Sequence, residues 1–432
     1  MRDYQQTLSY LYDRLPVYQK AGATAVKKNL TNITALSKGL GHPHQAYPSI
    51  HIAGTNGKGT TAHIIAAILQ SSGLKVGLYT SPHYEDFRER IKVNGTYISE
   101  AEVVGFVEDH QALMETHKPS FFEVTVAMAF EHFRKEGVDI AVIETGLGGR
   151  LDSTNIISPL LSVITHISLD HQNMLGPDIY TIAGEKAGII KSKTPVVIGR
   201  YQASCDHVFI KKAADEKAPL SFASLEWGYE QLENEVVFKN NNQDHKLHIA
   251  HNRGGPFLLE NIVTALQSIT TYNSMTSESI SASAIKKGIE EFRKISNYKG
   301  RWQQLDSHPD VITDSAHNED AISKVLDYIN NQGYEQIHFV LGFVGDKDVD
   351  KILKMLSPDH TFYFTQPSIF RALSRSTLKE KATEHGLSGA VYDDTPSAYT
   401  AARSKAKAND LVYIGGSSFI VADLLSHINK AL

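Results

Sequence analysis

The chain has 432 residues, of which 41% are hydrophobic and 21% charged. At roughly 150 residues per domain, this length predicts two or three globular domains, and the composition excludes a disordered or collagen-like chain. Lysine and arginine total 43 against 48 aspartate and glutamate; the net charge of −5 argues against bulk attraction to nucleic acid but leaves room for a local basic cleft. The single cysteine, Cys205, excludes an intramolecular disulfide and a cysteine metal cluster and reads as a buried structural residue. No apolar run approaches the roughly 18 residues needed to span a bilayer. The polar start, Met1 to Leu8, lacks the apolar core of a signal peptide. A cytosolic protein with no membrane or nucleic-acid partner is expected.

Leu8, Leu11, Tyr12 and Leu15 recur at helical spacing before Pro16. A second helical pattern runs from Val26 to Leu40 and stops at Gly41. Ser49–Ala53 alternates as a short strand and meets a glycine-rich turn. From Thr60, Ile64, Ile65, Ala67, Ile68 and Leu69 predict a helix that stops at Gly73. Short β-branched strands are predicted at Val76–Thr80, Asp139–Glu144, Leu161–Thr165 and Pro195–Gly199, with helical stretches between several of them. That pattern describes a parallel sheet covered by helices. Residues 221–250 break it: Glu235–Phe238 and Lys246–Ile249 flank the polar run Lys239–His245, as in a β-hairpin.

After Glu291 the pattern restarts. Strands are predicted at Val311–Asp314, His338–Phe343, Thr361–Thr365 and Leu411–Ile414, and helices at Ala321–Asn330 and Ser397–Ala406. The expected fold is therefore α/β. A phosphate-loop, parallel-sheet domain with flanking helices (1–296) precedes a smaller Rossmann-like domain (297–432), with the junction near Ser296–Lys299. There is no internal repeat or low-complexity tract.

The strongest local signal is the run Gly54, Thr55, Asn56, Gly57, Lys58, Gly59 and Thr60, set between a strand and a helix. Glycines let several N–H groups face one anion, and the helix N-terminus adds a positive dipole end. Lys58 is placed to neutralise a β- or γ-phosphate, and the Thr60 hydroxyl to assist near a metal. The loop alone indicates a nucleoside triphosphate, not the chemistry that follows. Gly59 between the lysine and the hydroxyl residue departs from the common phosphate loop. Glu144 ends an apolar strand, where ligands bind in open α/β sheets. Ser81 lies just past another strand end. Magnesium takes oxygen ligands and shares them with phosphates, so Ser81, Glu144 and a triphosphate suit one site; a solvated strand cap and a Ser-Pro turn are the plainer alternatives.

The loop resembles that of the folylpolyglutamate synthase and dihydrofolate synthase family, relatives of the Mur peptide ligases. Five further segments follow in the family order: Ser81-Pro-His83 with Phe87-Arg-Glu-Arg90, Phe121-Phe-Glu123, Glu144 to Asn155, Asp170-His171 with Glu185 to Ile190, and Asp314 to Asn318. The resemblance covers essentially the whole chain. It implies ATP as cosubstrate and two Mg2+ sites, the first on Ser81 and Glu144, the second on His171 and a Lys186 carboxylated by CO2. It implies a pterin side of the pocket near His83, Phe122 and Glu123, with Arg150 and Asp152 on the adjoining glycine-rich loop. Asn261, Arg301 and Asp314 correspond to nucleotide contacts, His317 to the place where ATP and glutamate meet, and Ser417 to a residue near the incoming glutamate. Taken alone, Lys186 would be an ordinary helix lysine, Glu123 a helix start and Arg301 a surface arginine. Leu258, Trp302, Ser315 and the Gly415–Phe419 run depart from the family pattern.

The implied reaction is ATP-dependent ligation. Lys58, Glu144, His171, Lys186 and His317 are the expected catalytic residues. A substrate carboxylate attacks the γ-phosphate, and the amine of L-glutamate then displaces phosphate from the acyl phosphate. Arg301 assists the first step, and closure of the two domains completes the site. Dihydropteroate, reduced folate or both remain as acceptors, with both favoured, and a monomer is expected. A phosphate-loop kinase, a Mur-type amino-acid ligase and a nucleotide-binding regulator without catalysis are the competing readings.

Overall fold

The computed structural model describes residues 2–16, 29–242, 246–250, 254–345 and 348–431. The chain divides into two compact units. One comprises Met1–His83, Arg88–Arg253 and Leu258–Tyr298; the other comprises Tyr84–Phe87, Gly254–Phe257 and Lys299–Leu432.

The first unit is built on short strands: β1 (Ser49–Ala53), β2 (Val76–Tyr79), β3 (Ile91–Val93), β4 (Thr96–Tyr97), β5 (Ile140–Glu144), β6 (Leu161–Ile164), β7 (Val196–Ile198) and β8 (Leu220–Phe222). They form one sheet in the order β4-β3-β2-β5-β1-β6-β7-β8. The six from β2 to β8 run parallel, and β3 and β4 add an antiparallel edge. β1, β2, β5, β6 and β7 are buried along their whole length, because helices cover both faces. The helix Lys58–Ser71 is buried at every position from Thr60 to Leu69. It packs in one apolar core with the sheet and with the helices Leu258–Met275 and Ala282–Glu290. The helix Phe121–Glu136 lies over β2 and carries its own start and stop signals. Ser120 and Glu123 form a reciprocal capping box, and Gly137 ends the helix with φ 61°.

Most predicted strands appear within a residue or two of their expected ends. The expected hairpin is instead a three-stranded antiparallel sheet of β9 (Trp227–Gln231), β10 (Glu235–Asn240) and β11 (Lys246–Ala250). β9 escaped notice because Tyr229, Glu230 and Gln231 are exposed and give no alternation. Residues 243–245 of the polar run lie outside the described residues. So do residues 26–28 of the second helical pattern, whose described helix spans Thr31–Gly39.

The second unit carries a six-stranded sheet of β12 (Gln303–Asp306), β13 (Asp310–Thr313), β14 (Ile337–Leu341), β15 (Thr361–Phe364), β16 (Gly389–Val391) and β17 (Leu411–Gly415). Their order is β12-β13-β17-β14-β15-β16, parallel except for β12 at one edge. Apolar clusters lie on both faces. Phe339, Phe362 and Phe364 belong to one, and Val340, Tyr363 and Ile414 to the other. Among the described residues, no helix is long and apolar enough to cross a membrane.

A Cβ on Gly77 would stand 2.9 Å from the Phe133 ring, so β2 and the Phe121–Glu136 helix meet only because position 77 lacks a side chain. Gly77→Ala is expected to destabilise the fold by about 1–3 kcal/mol through overpacking. Adding Phe133→Leu should recover part of the loss, as read from chemical-denaturation midpoints.

Candidate active site

β2, β5, β1 and β6 are neighbours in the sheet, so their C-terminal ends deliver Ser81, Glu144, the Gly54–Thr60 loop and the segment Thr165–His171 to one edge. The loop needs glycine at two places. Gly54 sits at φ 148° and Gly57 at φ 89°; a Cβ at these positions would collide with Thr165 Oγ1 and Asn261 Oδ1 respectively. The loop is strapped to the segment after β6. The Thr55 N–H donates to His166 O at 2.6 Å, and Thr165 Oγ1 donates to Asn56 O at 2.7 Å. Thr55 Oγ1 donates to Ser168 O and accepts from the Ser168 N–H, both at 3.1 Å, and Asn56 Nδ2 donates to Ser168 Oγ at 3.3 Å.

Two lysines converge on this loop. Lys58 Nζ donates to Gly54 O at 3.1 Å and to Thr55 O at 3.2 Å. Lys186 Nζ, from the helix Ile179–Ala187, donates to the same Gly54 O at 2.8 Å. Burial drives the Lys186 amine down to about 7; the Lys58 charge adds to this, and Asp170 and Asp152 oppose it. His171 stands in the left-handed region with φ 50°, and its N–H donates to Asp170 Oδ1 at 2.8 Å. Its Nε2 lies 3.7 Å from Asp170 Oδ2.

Glu144 is buried at the end of β5, and its Oε2 accepts from the Ser81 N–H at 3.1 Å. A Cβ on Gly59 would stand 3.5 Å from the same oxygen, so the carboxylate lies beneath the first turn of the loop helix. A serine hydroxyl and a carboxylate beside a phosphate-type loop are hard oxygen donors, the set a magnesium ion takes. Asn261 accepts from Thr61 Oγ1 at 3.4 Å, and its buried Nδ2 has no hydrogen-bond partner among the described residues. The Thr60 hydroxyl, expected near a metal, pairs with Tyr298 OH at 2.7 Å.

Several acidic and polar residues singled out in the sequence hold backbone. Asp152 accepts from the N–H groups of Leu147 (2.8 Å) and Thr154 (3.0 Å) and from Thr154 Oγ1 (2.6 Å). Burial raises its pKa, with those bonds acting in the opposite direction. Thr154 Oγ1 in turn pairs with His51 Nε2 at 2.8 Å, and burial lowers His51 to about 3, so the imidazole is neutral. Arg150 turns outward and pairs with Glu185 Oε1 at 2.7 Å. Glu123 Oε2 accepts from the Ser120 N–H at 2.7 Å as a helix cap, while its buried Oε1 has no hydrogen-bond partner among the described residues. The Ser120-x-x-Glu123 spacing could have disclosed that cap. The Phe122 ring packs against Gly146 and lies 6.2 Å from the Tyr79 ring.

His83 sits in a cluster that the sequence did not assemble. The Arg90 Nε–H donates to His83 Nδ1 at 2.7 Å, so Nε2 carries the proton toward Tyr12 OH, 3.1 Å away. Tyr12 stacks on Phe121 at 4.9 Å, and the Arg90 guanidinium lies 5.5 Å from the same ring.

In the second unit, Asp314 follows β13 and is buried. Its Oδ2 accepts from the Trp302 N–H at 2.7 Å and its Oδ1 from the Ala316 N–H at 2.8 Å. Burial raises its pKa, while Arg301 and His317 act in the opposite direction. The carboxylate thereby fixes the turn that carries Arg301, in which Gly300 (φ 75°) and Trp302 (φ 42°) are both left-handed. His317 Nδ1 donates to Ser315 O at 2.8 Å. Ser417 Oγ accepts from the Ile420 N–H at 3.2 Å, at the start of the last helix.

A family profile described as the Mur ligase middle domain matches residues 52–269, and one described as Mur ligase, glutamate ligase domain, matches residues 300–418. The chain is 33% identical to the dihydrofolate synthase/folylpolyglutamate synthase of Bacillus subtilis (strain 168), over 98% of each chain. The structure of E. coli FolC in complex with DHPP and ADP is similar at a TM-score of 0.87 and 28% identity, covering 100% of this chain and 98% of that one. A bifunctional folylpolyglutamate synthase/dihydrofolate synthase from Yersinia pestis, complexed with AMPPNP and Mn ion, gives a TM-score of 0.85 at 27% identity, covering 99% and 98%.

Lys186 makes stability depend on pH. Below about pH 7 the amine is charged in both the folded and the unfolded chain, and the folded chain bears the burial cost. Between about 7 and 10.5 the unfolded chain holds the extra proton, so this group favours folding increasingly as pH rises. Lys186→Met should therefore raise the thermal midpoint at about pH 6, and the gain should shrink at about pH 9. A gain independent of pH would contradict the burial argument.

Proposed function

Because the chain belongs to the folylpolyglutamate synthase and dihydrofolate synthase family of Mur-type ligases, we propose that it joins L-glutamate to a pteroate or folate carboxylate with ATP as the activating cosubstrate. We assign it both activities, on dihydropteroate and on reduced folates, as a cytoplasmic monomer. The observation that carries this reading is the likeness over 98% of the chain to a dihydrofolate synthase/folylpolyglutamate synthase. In this reading residues 1–296 bind ATP and the folate, and residues 297–432 contribute Arg301, Asp314, His317 and Ser417 toward nucleotide and glutamate.

A carboxylate is a poor electrophile, so its oxygen first attacks the γ-phosphorus of ATP and ADP leaves. The amine of L-glutamate then attacks the acyl carbon, loses a proton, and phosphate departs from the tetrahedral intermediate. The loop N–H groups and Lys58 hold the phosphates, and Arg301 adds a second positive group. Asn261, with its buried Nδ2 lacking a partner among the described residues, is suited to donate to the nucleotide. Ser81 and Glu144 would hold one Mg2+, and His171 with a carboxylated Lys186 a second. Bound there, the ions would neutralise phosphate charge that grows during transfer. An amine lowered to about 7 holds a substantial neutral fraction near physiological pH, the form that adds to CO2 with loss of a proton. The carbamate turns a buried nitrogen donor into an anionic oxygen donor. The Phe122 side, with Glu123 next to it in sequence and His83 linked through Tyr12 to the neighbouring Phe121, is the candidate pterin end.

A kinase needs the first step alone and leaves the glutamate ligase domain without a task. The test is direct. Purified protein with ATP, magnesium, L-glutamate and either dihydropteroate or tetrahydrofolate should form a new amide, ADP and phosphate. A stable phosphorylated acceptor would mark a kinase, and no amide with either acceptor would sink the proposal. Lys58→Met should lower kcat by about 10²–10³-fold. Lys186→Ala should be as severe, with partial recovery on adding a short carboxylic acid; no recovery would argue against the carbamate.

A further inference from the structure

The phosphate loop is tied to the far end of its own unit by a buried polar chain that the reaction above does not use. His63 lies on the helix Lys58–Ser71, one turn after Gly59, and its Nδ1 stands 2.9 Å from Gly59 O. Its Nε2 stands 3.0 Å from Lys92 Nζ. An ammonium only donates, so Nε2 accepts and the Nδ1–H donates to the loop carbonyl. Lys92, on β3, is 3% exposed and also donates to Asn297 O at 2.8 Å and Ser296 O at 3.3 Å. In parallel, the hydroxyls of Thr60 and Tyr298 meet at 2.7 Å, and the His63 and Tyr298 rings pack edge to face at 4.9 Å. Ser296, Asn297 and Tyr298 are the last residues of the first unit, and the second resumes at Lys299.

A buried ammonium is tolerated only while its acceptors stay in place. Here those acceptors belong to the loop helix on one side and to the closing segment on the other. Gly59 and Thr60 thus meet residues 296–298 through two linked contacts, one through His63 and Lys92 and one through the tyrosine hydroxyl. We propose that His63, Lys92 and Tyr298 are positioning residues that couple occupation of the phosphate loop to the course of the chain where it leaves the first unit. The proposal rests on the reading of the loop as an ATP site.

Hydrogen exchange of the full-length protein with a non-hydrolysable ATP analogue separates the two ideas. In the parent, the analogue should slow exchange both in a peptide spanning the loop and in one spanning residues 292–300. Tyr298→Phe removes one hydroxyl and keeps the ring; Lys92→Met removes the charge. Both should keep protection of the loop peptide, with analogue affinity within about threefold of the parent, while protection of residues 292–300 falls by at least about half. Ligase kcat should fall about tenfold in Tyr298→Phe with KM for ATP little changed, a split that general loosening of the fold would not give. Protection of residues 292–300 that persists in both variants, or is missing in a parent whose loop is protected, overturns the relay. A parent whose loop peptide gains no protection overturns the ATP reading, and the relay with it.

Discussion

The carbonyl oxygen of Gly54 accepts from two lysine side chains, Lys58 Nζ at 3.1 Å and Lys186 Nζ at 2.8 Å. Much of the first unit is arranged so that these two amines can share one acceptor. The backbone must turn with φ 148° at Gly54 and φ 89° at Gly57 to aim that carbonyl and the following N–H groups. Thr165, just after β6, and Asn261, on the Leu258–Met275 helix, fill the space that a Cβ would otherwise take. The strain falls on Lys186, whose amine is held near 7 by burial and by its neighbour. Such a centre is suited to polyanions, and the chain's net charge of −5 has no bearing on it.

Within each unit, buried polar groups act first as struts. Asp152 shapes the glycine-rich loop, Glu123 closes a helix start, Asp314 pins the turn of Arg301, and Ser417 caps the last helix. Each satisfies N–H groups that would be costly to bury alone. Cys205 is buried, as its lone occurrence suggested, and takes no part in the proposed chemistry.

The central strands were legible because parallel strands covered on both faces are unbroken apolar runs. The strands at or beside the sheet edges, β3, β4, β8, β12 and β16, were not, because they are only two to four residues long and their pairing depends on the strand beside them. Within the site, the loop, Ser81 and Glu144 could be placed from their position after apolar strands. Arg90 was visible as part of a motif, but its bond to His83 Nδ1 comes from the packing of β3. His63 and Lys92 were not singled out in the sequence, because their partners lie on other elements.

By itself, the sequence determined the α/β class, the order of the motifs and the glycine-rich loop set between a strand and a helix. These properties are written in local spacing: apolar period, glycine at tight turns, and a cation one residue into a helix. Only the tertiary structure decided which polar groups face the loop and which hold backbone. It also decided that the Thr60 hydroxyl meets Tyr298 across 238 residues of chain. The reason is physical: hydrogen-bond partners and burial belong to the space between elements, and residues far apart in the sequence fill that space together.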